Sequence, residues 1–313
     1  MNGLPVPKPT PWTAEIEFTA DDAKRLIEQQ FPTLSLAEVK LQGVGWDNFA
    51  FLVNGDFIFR FPRRAFAAPL IAIESNILPT IAPLLPLPIP IPEFVGVMPE
   101  PSNWKFAGYR RLPGSTTCSA RMTATQRTAV AKPLALFLKQ LHSLATSPLI
   151  ELGAPPDTIG RLEFPRRLDR ARTDLVKLRD IGFLDNIDPL IKIIDDAPTD
   201  FKPRADTLVH GDLYSRHLLV DDAHALSGVI DWGDLHIGDA AIDLSIAHIF
   251  LPPEAHADFR KPYGNIESIT WEIARLRAIW HTAYVALYAL DIGDEDLLFE
   301  SRFAFNNIVE ASR

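Results

Sequence analysis

Two aspartates and a histidine are spaced along one short stretch of the chain so that they could act together chemically. Asp212 and His217 precede an apolar run at 218–220, and Asp231 follows a second apolar run at 226–230. An acidic turn separates the two runs, which is typical of a β-hairpin with the three side chains at its mouth. Phosphoryl transfer needs one carboxylate to orient the attacking hydroxyl and another to hold the metal ion that screens the phosphates. This spacing therefore indicates phosphoryl transfer.

Each half of this pattern has an ordinary explanation when it is taken alone. His210, Gly211 and Asp212 could form no more than a turn, and Asp231 followed by Gly233 could simply close a strand. A catalytically silent binding protein is one alternative, and a metal-dependent hydrolase is another. The hydrolase would use a larger ligand set: His210, Asp212, His217, Asp231 and His236. The arrangement of both halves across a single hairpin favours the kinase interpretation.

The same stretch resembles the catalytic loop and the metal-binding loop of the aminoglycoside phosphotransferase family. These proteins are small-molecule kinases with the protein-kinase fold, and they include macrolide phosphotransferases. The resemblance implies that Asp212 is the catalytic base, that His217 is the first metal ligand and that Asp231 is the principal one. It also implies that His210 orients the loop. The family usually carries Asn where His217 stands, and an imidazole changes the ligand set for Mg²⁺, which prefers oxygen.

A second family pattern, Gly-Asp-x-x-x-Asp-Leu, follows the hairpin at Gly238–Leu244. In the family this segment opens the helix beneath the catalytic loop. The resemblance implies that Asp239 and Asp243 brace that loop, which is a structural role rather than a catalytic one.

A third family pattern lies nearer the N-terminus, at Gly45–Pro62. Glycines in such a hairpin allow backbone N–H groups to approach phosphate oxygens. The resemblance further implies a phosphate-binding arginine paired with a glutamate, for which a simple surface ion pair is the alternative. It also implies a hinge that binds the nucleotide base. The implied nucleotide-binding residues are Gly43, Gly45, Asn48, Arg60, Glu74, Arg111 and Leu112.

Residue periodicity places these motifs on regular elements. Thr19 is suited to cap the first helix, Asn54 and Gly55 suit a tight turn between two strands, and the proline-rich Pro83–Pro92 suits a stiff extended connection. The predicted strands are 37–41, 48–53, 57–61, 93–98 and 104–110, and the predicted helices are 19–30, 68–78, 123–144, 164–180, 184–195, 266–290 and 294–312.

The predicted fold is of the α+β class: a two-lobed protein-kinase-like fold with a small antiparallel five-stranded β lobe and a larger, mainly helical lobe. We place the boundary at the hinge, which gives a nucleotide-binding lobe at 1–111 and a helical lobe with the catalytic hairpin and acceptor site at 112–313. The family resemblance extends from Trp12 onward and implies a nucleotide in the cleft between the lobes.

Composition limits the classes of partner. The net charge is −9 over 313 residues, whereas nucleic-acid binding requires positive charge. Gly233–Arg313 contains thirteen acidic and six basic residues, a charge that would attract a cationic small molecule. The alternative is that the acidic cluster at 291–296 only begins a helix, where the dipole favours negative charge. The single cysteine, Cys118, and the lack of a secretory-type start favour the cytoplasm. Prolines throughout Ile77–Val97 exclude a membrane helix there.

Aromatic and acidic side chains in the last third of the chain could contact a sugar-like or cationic acceptor, or could form an ordinary core with a charged rim. The candidates are Asp234, Glu254, Trp271 and Trp280. The predicted activity is Mg²⁺-dependent transfer of the terminal phosphoryl group of ATP or GTP to a hydroxyl of an aminoglycoside-like or macrolide-like acceptor. A metabolic amino alcohol or sugar is the alternative acceptor, and the oligomeric state is left open.

Overall fold

The structure, a computed structural model, describes residues 13–311. These residues divide into two compact units: the first runs up to Pro83 and resumes over Pro90–Arg111, and the second consists of Leu84–Ile89 and the chain from Leu112 onward. No helix within the described range is long and apolar enough to cross a membrane. Trp12 and the predicted helical position 312 lie outside the described residues.

The first unit is built on an antiparallel sheet. Its elements are α1 (Ala20–Gln30), β1 (Val39–Val44), β2 (Asn48–Val53), β3 (Phe57–Pro62), α2 (Ala68–Ile81), β4 (Pro92–Val97) and β5 (Lys105–Arg110). The strand order is β1-β2-β3-β5-β4, so the predicted five-stranded antiparallel sheet is confirmed. A short 3₁₀ turn at Ala82–Leu84 precedes the rest of the proline-rich connection.

Aromatic packing and a capped helix hold this unit together. Phe51 and Phe59 are fully buried, and the core that they share with other sheet residues includes Ile27 of α1. The helix begins where predicted because the Thr19 side chain accepts from the Asp22 N–H while the Asp22 carboxylate accepts from the Thr19 N–H at 2.9 Å, a reciprocal capping box.

The second unit is mainly helical. It contains β6 (Ser115–Thr116), α3 (Thr117–Ala120), α4 (Ala124–His142), α5 (Thr146–Glu151), α6 (Arg166–Asp180), α7 (Asp188–Asp195), β7 (Thr207–Val209), β8 (Leu218–Val220), β9 (Leu226–Val229), β10 (His236–Gly238), α8 (Ala241–Phe250), α9 (His256–Tyr263), α10 (Ser268–Ile292) and α11 (Glu295–Glu310). The short helices α3, α5 and α9 were not predicted, and α6 and α7 begin later than predicted.

Helix α8 is buried along its whole length, and α10 packs against α8, α11 and α6. The predicted hairpin is present: β8 and β9 pair antiparallel, with Leu218 opposite Val229. The Val229 N–H donates to the carbonyl of Pro88 at 3.0 Å, so the segment Leu84–Ile89 is hydrogen-bonded to the hairpin of its own unit. Strands β7 and β10 form a separate pair that flanks the predicted catalytic loop.

Candidate functional site

One buried carboxylate holds the loop between β7 and β8. Asp243, in the first turn of α8, accepts hydrogen bonds from the backbone N–H groups of His210 at 2.7 Å and Gly211 at 2.9 Å. Gly211 has a φ of 89°, and a Cβ there would collide with the carbonyl oxygen of Asp234. Because glycine alone accepts that conformation without strain, the loop has a defined path at this point.

The His210 side chain links this loop to the end of the hairpin. Its Nε2–H donates to the carbonyl of Ile230 at 3.0 Å, and its Nδ1 accepts from the Asp212 N–H at 3.3 Å. Burial lowers the pKa of His210, which agrees with a neutral imidazole that donates through one nitrogen and accepts through the other. This geometry supports the predicted orienting role.

The Asp212 carboxylate projects from the fixed loop. Its Oδ1 accepts a hydrogen bond from Nε2 of His281 at 2.9 Å, while its Oδ2 lies 3.8 Å from Nδ1 of His217. Burial alone would raise the pKa of Asp212, but the hydrogen bond from His281 and the charges of His217 and Arg277 hold it well below its usual range. The group is therefore a carboxylate that can accept a hydrogen bond from a hydroxyl.

His217 lies between the two predicted active-site aspartates. Its Nδ1–H donates to the carbonyl of Asp212 at 2.7 Å, and its Nε2 lies 3.4 Å from Oδ2 of Asp231. Burial acts to lower the pKa of His217, but the hydrogen bond to Asp231 and the charges of both aspartates raise it above its ordinary value. The two carboxylates thus flank a single imidazole ring.

The His217–Asp231 pair has the chemistry of a cation site with few protein ligands. A metal-binding histidine typically donates its second ring N–H to a carbonyl or carboxylate, and His217 does so to Asp212. No group of three or more His, Cys, Asp or Glu residues suited to a metal occurs within residues 13–311. Magnesium is commonly held by one or two protein ligands together with phosphates and water, so the pair fits Mg²⁺ in number.

The two aspartates of the second family pattern differ in their contacts. Asp243 contacts the catalytic loop, whereas Asp239 accepts from the Ala241 N–H at the start of α8 and from the Arg204 N–H, both at 2.9 Å. Asp239 therefore binds the first N–H group of α8 and anchors the segment before β7. Direct support of the loop comes from Asp243.

Two of the four predicted acceptor residues, Asp234 and Trp280, lie beside side chains that are connected to one cavity. Asp234 forms an ion pair with Arg161, which also binds Asp157 at 2.9 Å, and Trp280 packs edge-on against Phe164 with ring centroids 5.6 Å apart. Asp157 and Phe164 line a cavity of about 370 Å³, a volume within the usual range of small-molecule sites.

Glu254 and Trp271 lie in a different environment. Trp271 packs against the rings of His248, His256 and Phe259, and Glu254 lies in the 3₁₀ turn that precedes α9. Trp271 precedes His281 by ten residues of α10, which is about 15 Å along a helix. Trp271 is therefore almost three helical turns from the residue of α10 that contacts Asp212.

The predicted nucleotide residues of the first unit lie on the β1–β2 hairpin and on β3. The Gly45 N–H donates to the carbonyl of Asn48 at 2.9 Å, and the strand pairing shifts just before Gly43. Nη1 of Arg60 lies 2.7 Å from Oε2 of Glu74, and both side chains are buried. The predicted pair is present, and its burial distinguishes it from a surface ion pair.

The two predicted hinge residues fall on different units. The Arg111 N–H donates to the carbonyl of Asp56 at 2.7 Å, within the first unit. Leu112 belongs to the second unit, where its side chain packs over Gly228 of β9.

Three residues of the second unit that contact or neighbour the predicted site residues were not assigned a role from the sequence: Arg161, Arg277 and His281. Arg277 and His281 are buried one helical turn apart on α10, and Nε and Nη1 of Arg277 have no hydrogen-bond partner within the described residues. Burial and the charge of Arg277 lower the pKa of His281 to about 4. An arginine and a histidine at i and i+4 on a helix rich in apolar residues were the available signal. No comparable pattern marks Arg161.

Solved structures of other proteins resemble this chain in fold. Solved structures with similar folds include a GDP complex of wild-type aminoglycoside 2'-phosphotransferase-IIIa, 22% identical, covering 95% of this chain and 100% of that one with a TM-score of 0.66. A macrolide 2'-phosphotransferase from Brachybacterium faecium, in its apoenzyme form, is 21% identical, with coverages of 91% and 98% and a TM-score of 0.59. A streptomycin–ATP complex of APH(2'')-IIa is 20% identical, with coverages of 90% and 96% and a TM-score of 0.58.

These likenesses confirm the predicted kinase-like fold. The family model described as the phosphotransferase enzyme family, APH, matches residues 38–279, which is more than half of the chain. The predicted family and the predicted class of enzyme, a phosphotransferase, are thereby confirmed. The chain belongs to the phosphotransferase enzyme family.

Proposed function

We propose that the protein transfers the terminal phosphoryl group of ATP or GTP to a hydroxyl group of a small molecule. The observation that carries this proposal is the placement of Asp212 and Asp231 on either side of His217, 3.8 and 3.4 Å from its two ring nitrogens. One carboxylate can address the acceptor while the other addresses a metal ion, which is the division of labour that phosphoryl transfer requires.

In this proposal Asp212 accepts a hydrogen bond from the acceptor hydroxyl and aligns its oxygen with the terminal phosphorus. A bond forms from that oxygen to phosphorus as the bond between phosphorus and the bridging oxygen of the nucleotide breaks. Because the transition state is loose, the hydroxyl proton passes to Asp212 late in the reaction, and positioning contributes most of the catalysis. His210 and Asp243 keep the loop in place through the hydrogen bonds described above.

Asp231 and His217 would hold Mg²⁺, which when bound would neutralise charge on the phosphates. The first unit would bind the nucleotide. The hairpin residues Gly43, Gly45 and Asn48 would contact its phosphates, and so would the guanidinium of Arg60, which Glu74 holds in place. Arg111 and Leu112 would contact the base. A cytoplasmic location, with its supply of both nucleotides, belongs to the same proposal.

The acceptor class is the finer part of the proposal. The family resemblance and the antibiotics named in neighbouring structures support an aminoglycoside-like or macrolide-like acceptor, with a metabolic amino alcohol or sugar as the alternative. Asp234 and Trp280 are its proposed contacts. A cationic acceptor would compete with Arg161 for Asp234, because the two side chains are already ion-paired.

The test begins with nucleotide binding. Isothermal titration with ATP and with GTP, each with Mg²⁺, should give saturable binding. The rival metal-dependent hydrolase would instead bind a transition metal tightly and show no affinity for nucleotide. A phosphorylation screen with both nucleotides over aminoglycosides, macrolides and simple amino alcohols would then identify the acceptor.

A basal nucleotidase assay tests the role of Asp212. We expect Asp212→Ala to lower the rate by a factor on the order of 10² or more, the usual contribution of a proton acceptor. Asp222→Ala, an exposed aspartate in the turn of the same hairpin, is the matched control. Equal rates for the native protein and Asp212→Ala would remove Asp212 from the mechanism and leave a silent binding protein as the better interpretation.

A further inference from the structure

Helix α10 brings a histidine to the catalytic loop from far along the chain. His281 lies 69 residues after Asp212, and its Nε2 is 2.9 Å from Oδ1 of that residue. The His281 side chain is 7% exposed, and α10 is held by its packing on α8 and α11. The contact is therefore made by a buried ring on an anchored helix.

The direction of this hydrogen bond follows from the chemistry of the two groups. An ionised carboxylate can only accept, so His281 donates through Nε2–H. The ring of Tyr214 lies edge-on to His281, with centroids 5.3 Å apart, which restricts rotation of the imidazole. Arg277, one turn earlier on the same helix, contributes positive charge toward Asp212.

The contact distinguishes the two oxygens of Asp212. The torsion about the carboxylate bond of an aspartate is broad and roughly two-fold, so an unrestrained group would present either oxygen over a wide range of angles. His281 engages Oδ1, whereas Oδ2 has no hydrogen bond from the described residues, the Nδ1–H of His217 being directed to the Asp212 carbonyl. Oδ2 is thus the oxygen that remains to meet a hydroxyl.

We propose that His281 is a positioning residue: its Nε2–H fixes Oδ1 of Asp212 so that Oδ2 faces the acceptor hydroxyl. This inference rests on the proposed function, because it assigns His281 a role that acts through Asp212. Since misplacement of a reacting group by about 1 Å can cost on the order of 10²-fold in rate, loss of this contact should lower turnover without weakening nucleotide binding.

The test is a double-mutant cycle on the basal nucleotidase rate of the full-length protein. We expect His281→Leu to lower the rate by about 10- to 100-fold with the nucleotide dissociation constant unchanged, and His281→Gln, which keeps an N–H donor, to recover part of the loss. In an Asp212→Asn background, His281→Leu should cause no further decrease. His248→Leu, a buried histidine whose ring packs against His256 and Trp271, is the control and should retain the native rate.

A native rate in His281→Leu, or an additional full loss in the Asp212→Asn background, would overturn the inference. If Asp212→Asn itself leaves the rate unchanged, the proposed function fails first, and the contact is then judged by NMR of the histidine side chains. An Nε2–H resonance of His281 that shifts on Asp212→Asn supports the contact, and an unaffected resonance contradicts it. The two failures are therefore distinguishable.

Discussion

Asp243 accepts the backbone N–H groups of both His210 and Gly211, and the same carboxylate lies 3.1 Å from Nε2 of His142. The side chain is completely buried, so its charge is balanced by these donors rather than by water. Burial acts to raise the pKa of Asp243, but the hydrogen bond and charge of His142 lower it below the ordinary value. The conformation of the catalytic loop is thus stabilised by a carboxylate of α8.

Asp243→Ala should therefore destabilise the protein. Removal of one member of a buried, charged hydrogen-bond network typically costs about 3–5 kcal/mol, because the partners are left buried and unpaired. Urea unfolding should show a lower midpoint and a correspondingly smaller free energy of unfolding. Asp222→Ala, at an exposed position, should change that free energy by less than about 0.5 kcal/mol. A native midpoint in Asp243→Ala would contradict this account.

The pH dependence of stability should reflect buried neutral histidines. Burial and the charge of Arg161 lower the pKa of His236 to about 4, whereas an unfolded histidine titrates near about 6.5. As pH falls through that interval the unfolded chain binds the proton first, so the stabilisation present above about pH 6.5 is progressively lost toward pH 4. The free energy of unfolding of the native protein should therefore fall more steeply from about pH 6.5 to about pH 4 than that of His236→Asn, which has no titrating group at this position.

The cysteine should be inert in the folded protein. Burial and the charge of Glu300 raise the pKa of Cys118 to about 12, and the nucleophile in alkylation is the thiolate. Iodoacetamide at pH 8 should leave native Cys118 unmodified over a period in which the urea-unfolded chain is fully labelled, as followed by mass spectrometry. Rapid labelling of the native protein would show that the thiol is accessible and ionised.

The buried ion pair in the first unit should control nucleotide affinity. Arg60→Gln removes the proposed phosphate contact and leaves Glu74 without its 2.7 Å partner. We expect the affinity for ATP or GTP to fall at least about tenfold, equivalent to about 1.4 kcal/mol. Arg25→Gln, on the exposed side of α1, is the matched control. Undiminished affinity in Arg60→Gln would exclude this guanidinium from the nucleotide site.

The metal dependence should follow Asp231. Its φ of 62° is in the left-handed region, which Asn tolerates better than most residues, so Asp231→Asn should preserve the fold while removing the charge. We expect this variant to lose Mg²⁺-dependent activity and to need higher Mg²⁺ concentrations for nucleotide binding. Chelation of the metal should inactivate the native protein in the same way. An unchanged Mg²⁺ titration would assign the ion to other ligands.

Several regular elements were accessible from the sequence because each has a local cause. The Thr19–Asp22 capping box begins α1, and Asn54 and Gly55 both adopt positive φ in the turn between β2 and β3. The hairpin that carries Asp231 was predictable from two apolar runs and the turn between them. Local periodicity is sufficient for such features since it acts over a few residues.

The parts of the site that escaped prediction depend on contacts between distant segments. His281 reaches Asp212 across 69 residues, and Arg161 reaches Asp234 across 73, and no local pattern encodes either distance. Asp239 and Asp243 could not be told apart from the sequence for a different reason. They share one motif, yet Asp243 lies in the first turn of α8 and accepts from the catalytic loop, whereas Asp239 precedes the helix and accepts from the Arg204 N–H. The sequence likewise did not show which aromatic residues of α10 lie near the site and which belong to the core.

The assignment of Leu84–Ile89 to the second unit has a practical consequence for dissecting the protein. A recombinant fragment that starts at Leu112 omits a peptide on which the hairpin depends, and Val229 would lose its main-chain acceptor on Pro88. Autonomous expression of the helical half therefore calls for that peptide to be grafted ahead of residue 112 through a synthetic linker. A single cut in the gene at residue 112 would separate the Pro88 acceptor from the hairpin to which it is hydrogen-bonded.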